Sequence, residues 1–270
     1  MPSRAFLDTT VLVNALMKQG AIGDASRAAI KKFDEVLLPQ YAIKEFKAGA
    51  LRNYVWFHNR VVISQTWTEA VKAIGSLLYQ HNKRSTALEA LADFSSSLSK
   101  AMPAELYRKY PSQNMAEIMK REARIWLQTT ILRAWRRRRT LATAVVSPLP
   151  CYEEKDALRV RSNGTIDDKP VACSTHDCCL REAFAARGRD VESLLLAAEG
   201  MPDKNETVRR RAVLRQLHKH ADRPISDDQC RYLGDAVFAM QCPENAQILT
   251  TNVKDHQPLA NAIGVGVVTP

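Results

Sequence analysis

The chain has 270 residues, 46% of them apolar and 25% charged, which sets it apart from disordered polymers and fits a folded protein with a sizeable core. No run of 18 apolar residues occurs, which excludes a transmembrane helix by the length such a helix needs, and the opening MPSRAFLDTTVLVN lacks the apolar core of an export signal, so a cytoplasmic location is expected. Lys and Arg number 39 against 29 Asp and Glu, a net charge of +10; such a balance favours polyanionic partners, nucleic acid foremost.

The charge is unevenly spread. Residues Lys100 to Arg139 hold 11 basic and 3 acidic groups, and Asp203 to Arg223 hold 7 and 3. Pro224 to Pro270 reverses the sign, with 2 basic and 5 acidic. An acidic site beside basic ground is the pattern this suggests.

The elements follow in order. Ala5, Phe6 and Leu7 form a short strand, and Asp8 with Thr9 can cap a helix carrying Val11, Leu12, Ala15 and Leu16. A second helix is predicted over Asp24 to Phe33, a strand over Val36 to Leu38, and a helix over Gln40 to Leu51. Strand and helix alternating at this spacing imply parallel pairing. Predicted helices then run over His58 to Tyr79, Ser85 to Ser99, Asn114 to Thr140, Leu180 to Ala198 and Glu206 to Ala221, with a short strand over Ala142 to Val146 and a loop or hairpin over Cys151 to Val171. Ser226 and Gln229 make a capping box, and Leu233, Ala236, Val237 and Met240 share one helical face. A strand over Ile248 to Thr251, a turn over Asn252 to Asp255 and a last strand over Val265 to Val268 close the chain.

Four acids stand where folding alone would not put them. Asp8 and Asp255 follow strands directly, while Glu45 and Asp235 ride on helices next to strands. Ligands of parallel α/β sheets bind at the carboxyl ends of the strands. Carboxylates gathered there repel one another, and a hard divalent cation such as Mg²⁺ or Mn²⁺ resolves the conflict. Such an ion activates water and neutralises charge on a phosphodiester. Taken singly, Asp8 reads as a helix cap, Asp255 as a turn residue, and Glu45 and Asp235 as solvated charges.

The stretches FLDTTVLVNAL and GDAVFAMQCPENAQILTTNVKD resemble the opening and closing motifs of PIN domains. On that resemblance Asp8, Glu45, Asp235 and Asp255 match the family's four acids, catalytic and metal-holding, and Thr9 and Asn252 match the supporting polar residues. The resemblance implies a metal-dependent endoribonuclease, of the kind found as toxins, defence effectors and RNA-processing enzymes. An inhibitory protein partner fits the same expectation. It also implies an α/β fold, a PIN-like parallel-sheet core from residues 1–51 and 224–270; the large, mainly helical insertion expected over 52–223 departs from the family's shorter pattern. The alternatives are a nuclease acting on DNA, or a PIN-like module that binds nucleic acid or protein without turnover.

Trp135 beside Arg136, Arg137, Arg138 and Arg139 can stack a base and grip phosphates, and Arg209, Arg210 and Arg211 lie opposite an apolar stripe of Val213, Leu214 and Leu217. Both runs are candidate RNA contacts; solvated helix faces are the simpler reading. Cys151, Cys173, His176 and Cys178 offer near-zinc spacing for a structural Zn²⁺, without the second paired motif of zinc ribbons, so reduced cysteines are the commoner outcome. His176 or His256 can serve as a general base, although no motif marks either, and the six histidines otherwise read as surface residues.

Overall fold

The computed structural model describes residues 2–77, 80–99, 103–146, 158–167, 179–220 and 223–270. Strand β1 (Arg4–Leu7) leads through Asp8 into α1 (Thr9–Met17) and α2 (Gly20–Ile30). Strand β2 (Glu35–Pro39) runs straight into α3 (Gln40–Phe46), and a π-helical turn, Lys47–Leu51, carries the chain on into α4 (Arg52–Ile63). Then come α5 (Trp67–Gly75), α6 (His81–Ser99), α7 (Pro103–Lys109), α8 (Met115–Arg137) and β3 (Ala144–Val146). Helices α9 (Cys179–Ala185), α10 (Gly188–Glu199), α11 (Asn205–Lys219), α12 (Asp227–Tyr232) and α13 (Gly234–Gln241) follow, then β4 (Ala246–Leu249), α14 (Val253–Ala262) and β5 (Gly266–Val268).

The strands form one five-stranded sheet in the order β3-β2-β1-β4-β5, every pair parallel. Strand β1 is central because its apolar residues can be buried on both faces: Ala5, Phe6 and Leu7 are fully buried. Its register sets Phe6 beside Leu37 of β2 and beside Ile248 of β4. All five strands therefore end at one edge of the sheet, and the helices return over its faces. No helix among the described residues is long and apolar enough to cross a membrane.

The α/β class agrees with the sequence pattern, but several boundaries differ. The helix expected over His58 to Tyr79 breaks at Ser64, whose backbone is extended, and Thr66 caps the new helix by accepting from the Glu69 N–H at 3.2 Å. The helix expected over Leu180 to Ala198 divides around Arg187 into α9 and α10. The turn expected over Asn252 to Asp255 is instead the first turn of α14. At Arg52, where α4 begins, the chain runs on from α3 through the π-helical turn without an intervening loop. The segment 52–223 is tied to the same sheet and core. It returns β3 to the sheet beside β2, and Leu12, Phe46, Tyr54, Leu127, Ile131, Leu214 and Val237 belong to one continuous apolar cluster. Cys151, Cys173, His176 and Cys178 lie outside the described residues; Cys230 and Cys242 carry free thiols.

Phe238 on α13 is a hub of the core below the sheet's carboxyl edge. Its ring meets Phe6 at 6.1 Å, Tyr41 at 5.6 Å and His256 at 5.6 Å, each edge to face. Phe238→Ala leaves a cavity shared by β1, α3 and α14. It is expected to lower unfolding free energy by about 3–5 kcal/mol in urea denaturation; a loss under about 1 kcal/mol would show that this hub is not what joins the elements.

Candidate functional site

The sheet topology explains how distant residues meet. Asp8 follows β1, the central strand, and Glu45 lies on α3, directly behind the neighbouring β2. Asp235 is in the first turn of α13, and α14, behind β4 on the other side of β1, carries Asp255 and His256.

Asp8 is held hard in place. As the cap of α1 it accepts from the Thr9 N–H at 2.7 Å and the Thr10 N–H at 3.3 Å. Its Oδ2 also accepts from the hydroxyls of Thr10 at 2.5 Å and Thr250 at 2.7 Å. Its Oδ1 lies 3.5 Å from Nε2 of His256. Burial pushes the Asp8 carboxyl up, but His256 and the two hydroxyls outweigh it and hold the group below the usual carboxylate range.

The other two central acids go the opposite way. Glu45 accepts from the Thr9 hydroxyl at 2.7 Å. Burial, with the negative charges of Asp8 and Asp235 nearby, outweighs the Thr9 and Tyr41 hydroxyls and pushes Glu45 up to about 7. Gly234 matters here because a Cβ at that position would lie 3.0 Å from Glu45 Oε1. Its missing side chain lets the N-terminus of α13 approach α3. Asp235 is raised by burial against the pull of His256 and Arg210. Its Oδ1 is 3.2 Å from His256 Nε2, and its Oδ2 accepts from Nη2 of Arg210.

Two buried basic side chains thus sit among three acids. His256 is only 2% exposed, and Nδ1 finds no partner among the described residues. Burial lowers its affinity for a proton, but Asp8, Asp235 and Glu45 more than compensate, so its pKa rises. Arg210 is 6% exposed and anchors further to the Tyr232 carbonyl at 3.0 Å. Asp255 stands apart from this inner group: its Oδ1 is 3.6 Å from Nζ of Lys204. Asn252 precedes α14, and its N–H donates to the Thr250 hydroxyl at 2.9 Å.

Of the residues singled out from sequence, Asp8, Thr9, Glu45 and Asp235 come together, with Asp255 at the margin. Thr10 and Thr250 were not foreseen, nor was the place of Arg210 among the acids, and His256 stood out only as a general base that no motif marks. His256 is no surface residue; it shares a buried face of α14 with Leu259 and Ala260, at spacings of three and four. His58, fully buried on α4, is a second exception. Arg210 likewise shares the buried face of α11 with Val213, Leu214 and Leu217, rather than opposing it. A charge in an apolar stripe was the available signal in both helices.

The expected RNA contacts are redistributed. Trp135 is 5% exposed, with Arg138 at 3.6 Å and Lys47 at 5.5 Å from its ring centroid, which corrects the expectation of a base-stacking indole. Arg138 also donates to the Trp135 carbonyl, whereas Arg136, Arg137 and Arg139 are exposed. Arg209 donates to the Tyr232 hydroxyl, and Arg211 binds Asp203 at 2.6 Å and the Ala198 and Met201 carbonyls at 2.7 and 2.5 Å. Arg209, Arg210 and Arg211 therefore serve contacts within the fold.

No family model matches the chain, and no curated protein or solved structure is significantly similar to it. Among the described residues, no three His, Cys, Asp or Glu side chains form a ready-made coordination sphere. The donors are nonetheless of the kind a hard cation takes, namely carboxylate and hydroxyl oxygens.

The raised pKa of Glu45 carries a definite sign. Between about 4.5 and 7 the folded state keeps a proton that the unfolded chain releases, so stability falls as pH rises through that window. Without added metal, Glu45→Gln should therefore gain on the parent by up to roughly 3 kcal/mol as pH goes from about 4.5 to above 7. Denaturant titrations at several pH values measure this; parallel profiles for the two proteins would contradict the assignment.

Proposed function

We propose that the chain is a metal-dependent endoribonuclease of PIN-like type, hydrolysing RNA phosphodiester bonds with Mg²⁺ or Mn²⁺. The observation that carries this reading is the convergence of Asp8, Glu45 and Asp235 at the carboxyl edge of a parallel sheet, where α/β folds bind ligands. Nothing about folding calls for three acids there, since each raises the cost of ionising the next. Resemblance of the flanking sequences to PIN domains supports the same reading.

In this reading Asp8, Glu45 and Asp235 hold the ion directly or through water, with Asp255 at the outer margin. The divalent ion supplies Lewis acidity toward the phosphate and lowers the pKa of a bound water. The protein's own groups set the stage. Thr10 and Thr250 fix the rotamer of Asp8 by donating to Oδ2, and Thr9 orients Glu45. Asn252 donates to the Thr250 oxygen through its backbone, which directs the Thr250 proton toward Asp8. Exposed Arg136 and Arg139 offer sequence-independent phosphate contacts. A toxin or effector restrained by a protein partner is the biological setting this activity suggests.

A second reading has its own observation. Arg210 and His256 already sit against Asp235 and Asp8, as they would in a PIN-like module that binds nucleic acid or protein without turnover.

Incubation of the protein with RNA and with DNA, with and without Mn²⁺, separates these readings. The nuclease reading expects Mn²⁺-dependent cuts in RNA, reduced about 100-fold or more by Asp8→Asn. Asparagine retains the capping geometry, so a denaturation midpoint close to the parent's should accompany the loss. Equal cleavage by Asp8→Asn contradicts the assignment, cuts in DNA alone redirect it to the deoxy substrate, and no cleavage in any condition favours the binding module.

A further inference from the structure

The chain's second concentration of charge lies away from the acids. At the far end of α1, roughly 13 Å of helix from Asp8, a cavity of about 410 Å³ opens between the α1–α2 turn and the C-terminal end of α8. Four cationic side chains line it: Lys18, Arg27, Arg133 and Arg137. No Asp or Glu among the described residues does so.

The four cations differ in how far they are already neutralised. Lys18 pairs with Glu89 on α6. Arg27 pairs with the exposed Asp24 at 2.7 Å and donates to the Ala15 carbonyl at 2.8 Å. These contacts fix the two side chains to the wall. Arg133 and Arg137 are exposed, stand one turn apart on the same face of α8, and pair with no carboxylate among the described residues. Two like charges held side by side over a cavity repel each other, and an anion placed between them removes that cost.

We propose that this cavity binds a small molecule carrying two or more linked phosphates. Guanidinium forks match phosphate oxygens two at a time, and two forks beside a lysine and a third arginine match a polyphosphate better than a single anion. The volume lies within the range of small-molecule sites. A polynucleotide is the weaker fit, because a concave site of this size encloses one compact ligand rather than a passing strand. The site is built from different residues than the carboxylate cluster and does not depend on nuclease chemistry.

Calorimetric titration of the full chain tests this, with tripolyphosphate as the probe and orthophosphate, ATP and a short single-stranded RNA without terminal phosphates as comparators. Tripolyphosphate should bind one per chain and more tightly than orthophosphate, and ATP should compete with it. The double change Arg133→Ala and Arg137→Ala should weaken binding about tenfold or more. Lys219→Ala, which removes an exposed cation on α11, should leave it unchanged. Absence of tripolyphosphate binding overturns the proposal. So does equal weakening by Lys219→Ala, which would mean diffuse charge attraction, or displacement by RNA at lower concentration than ATP, which would mean a polynucleotide site. If circular dichroism shows that the alanine pair misfolds, the pair Arg133→Lys and Arg137→Lys decides: loss of the forks at constant charge should still weaken binding, and unaltered binding overturns the proposal.

Discussion

Repulsion among Asp8, Glu45 and Asp235 is the constraint around which this fold is arranged. The carboxylates are largely sheltered from water, and the charge of Asp8 makes Glu45 and Asp235 harder to ionise. The chain answers unevenly. Asp8 receives hydroxyls, backbone amides and His256, and is held ionised. Asp235 receives Arg210 and His256. Glu45 receives the hydroxyls of Thr9 and Tyr41, which do not offset its burial and the charges of Asp8 and Asp235, so its pKa is pushed up to about 7. An added positive charge would favour the ionised form of both Glu45 and Asp235.

Secondary structure makes this crowding unavoidable. Parallel strands all finish at one edge, so residues that follow β1, β2 and β4 meet there whatever their distance in sequence. The two ends of the chain supply the acids, whereas Arg210 comes from α11, which belongs to the long helical middle. Strand β3 joins that middle to the sheet, and the apolar core runs through both without interruption. The helical middle is thus part of the site's wall rather than an appendage, and any change in the position of α11 would be felt at Asp235 through the guanidinium.

Much of this was legible beforehand, for definite reasons. Apolar runs ending in Asp8 and before Thr250 identify central parallel strands, because only buried strands tolerate such uniform composition. Asp8, Glu45 and Asp235 stood out because acids beside those runs have no structural reason to be there. Other features were masked by pattern. Helix α14 was hidden by Pro258 and by the polar stretch Asn252 to Asp255, and with it His256, whose buried face shows only once the segment is known to be helical. Arg210 was hidden inside a triple-arginine run, where each residue faces a different way: one to the core, two to rim contacts. Trp135 failed as a base-stacking residue because a large ring beside an arginine run satisfies those arginines locally. Composition cannot distinguish that from a binding platform.

Whether the buried acids share an ion is decided most directly by anomalous diffraction from crystals of the parent protein grown with Mn²⁺. A manganese peak bonded to oxygens of Asp8 and Asp235, with Glu45 reached directly or through water and with Arg210 or His256 moved aside, is the predicted result. Crystals saturated with Mn²⁺ that show no peak there, and still have Arg210 and His256 seated on Asp235, would contradict it.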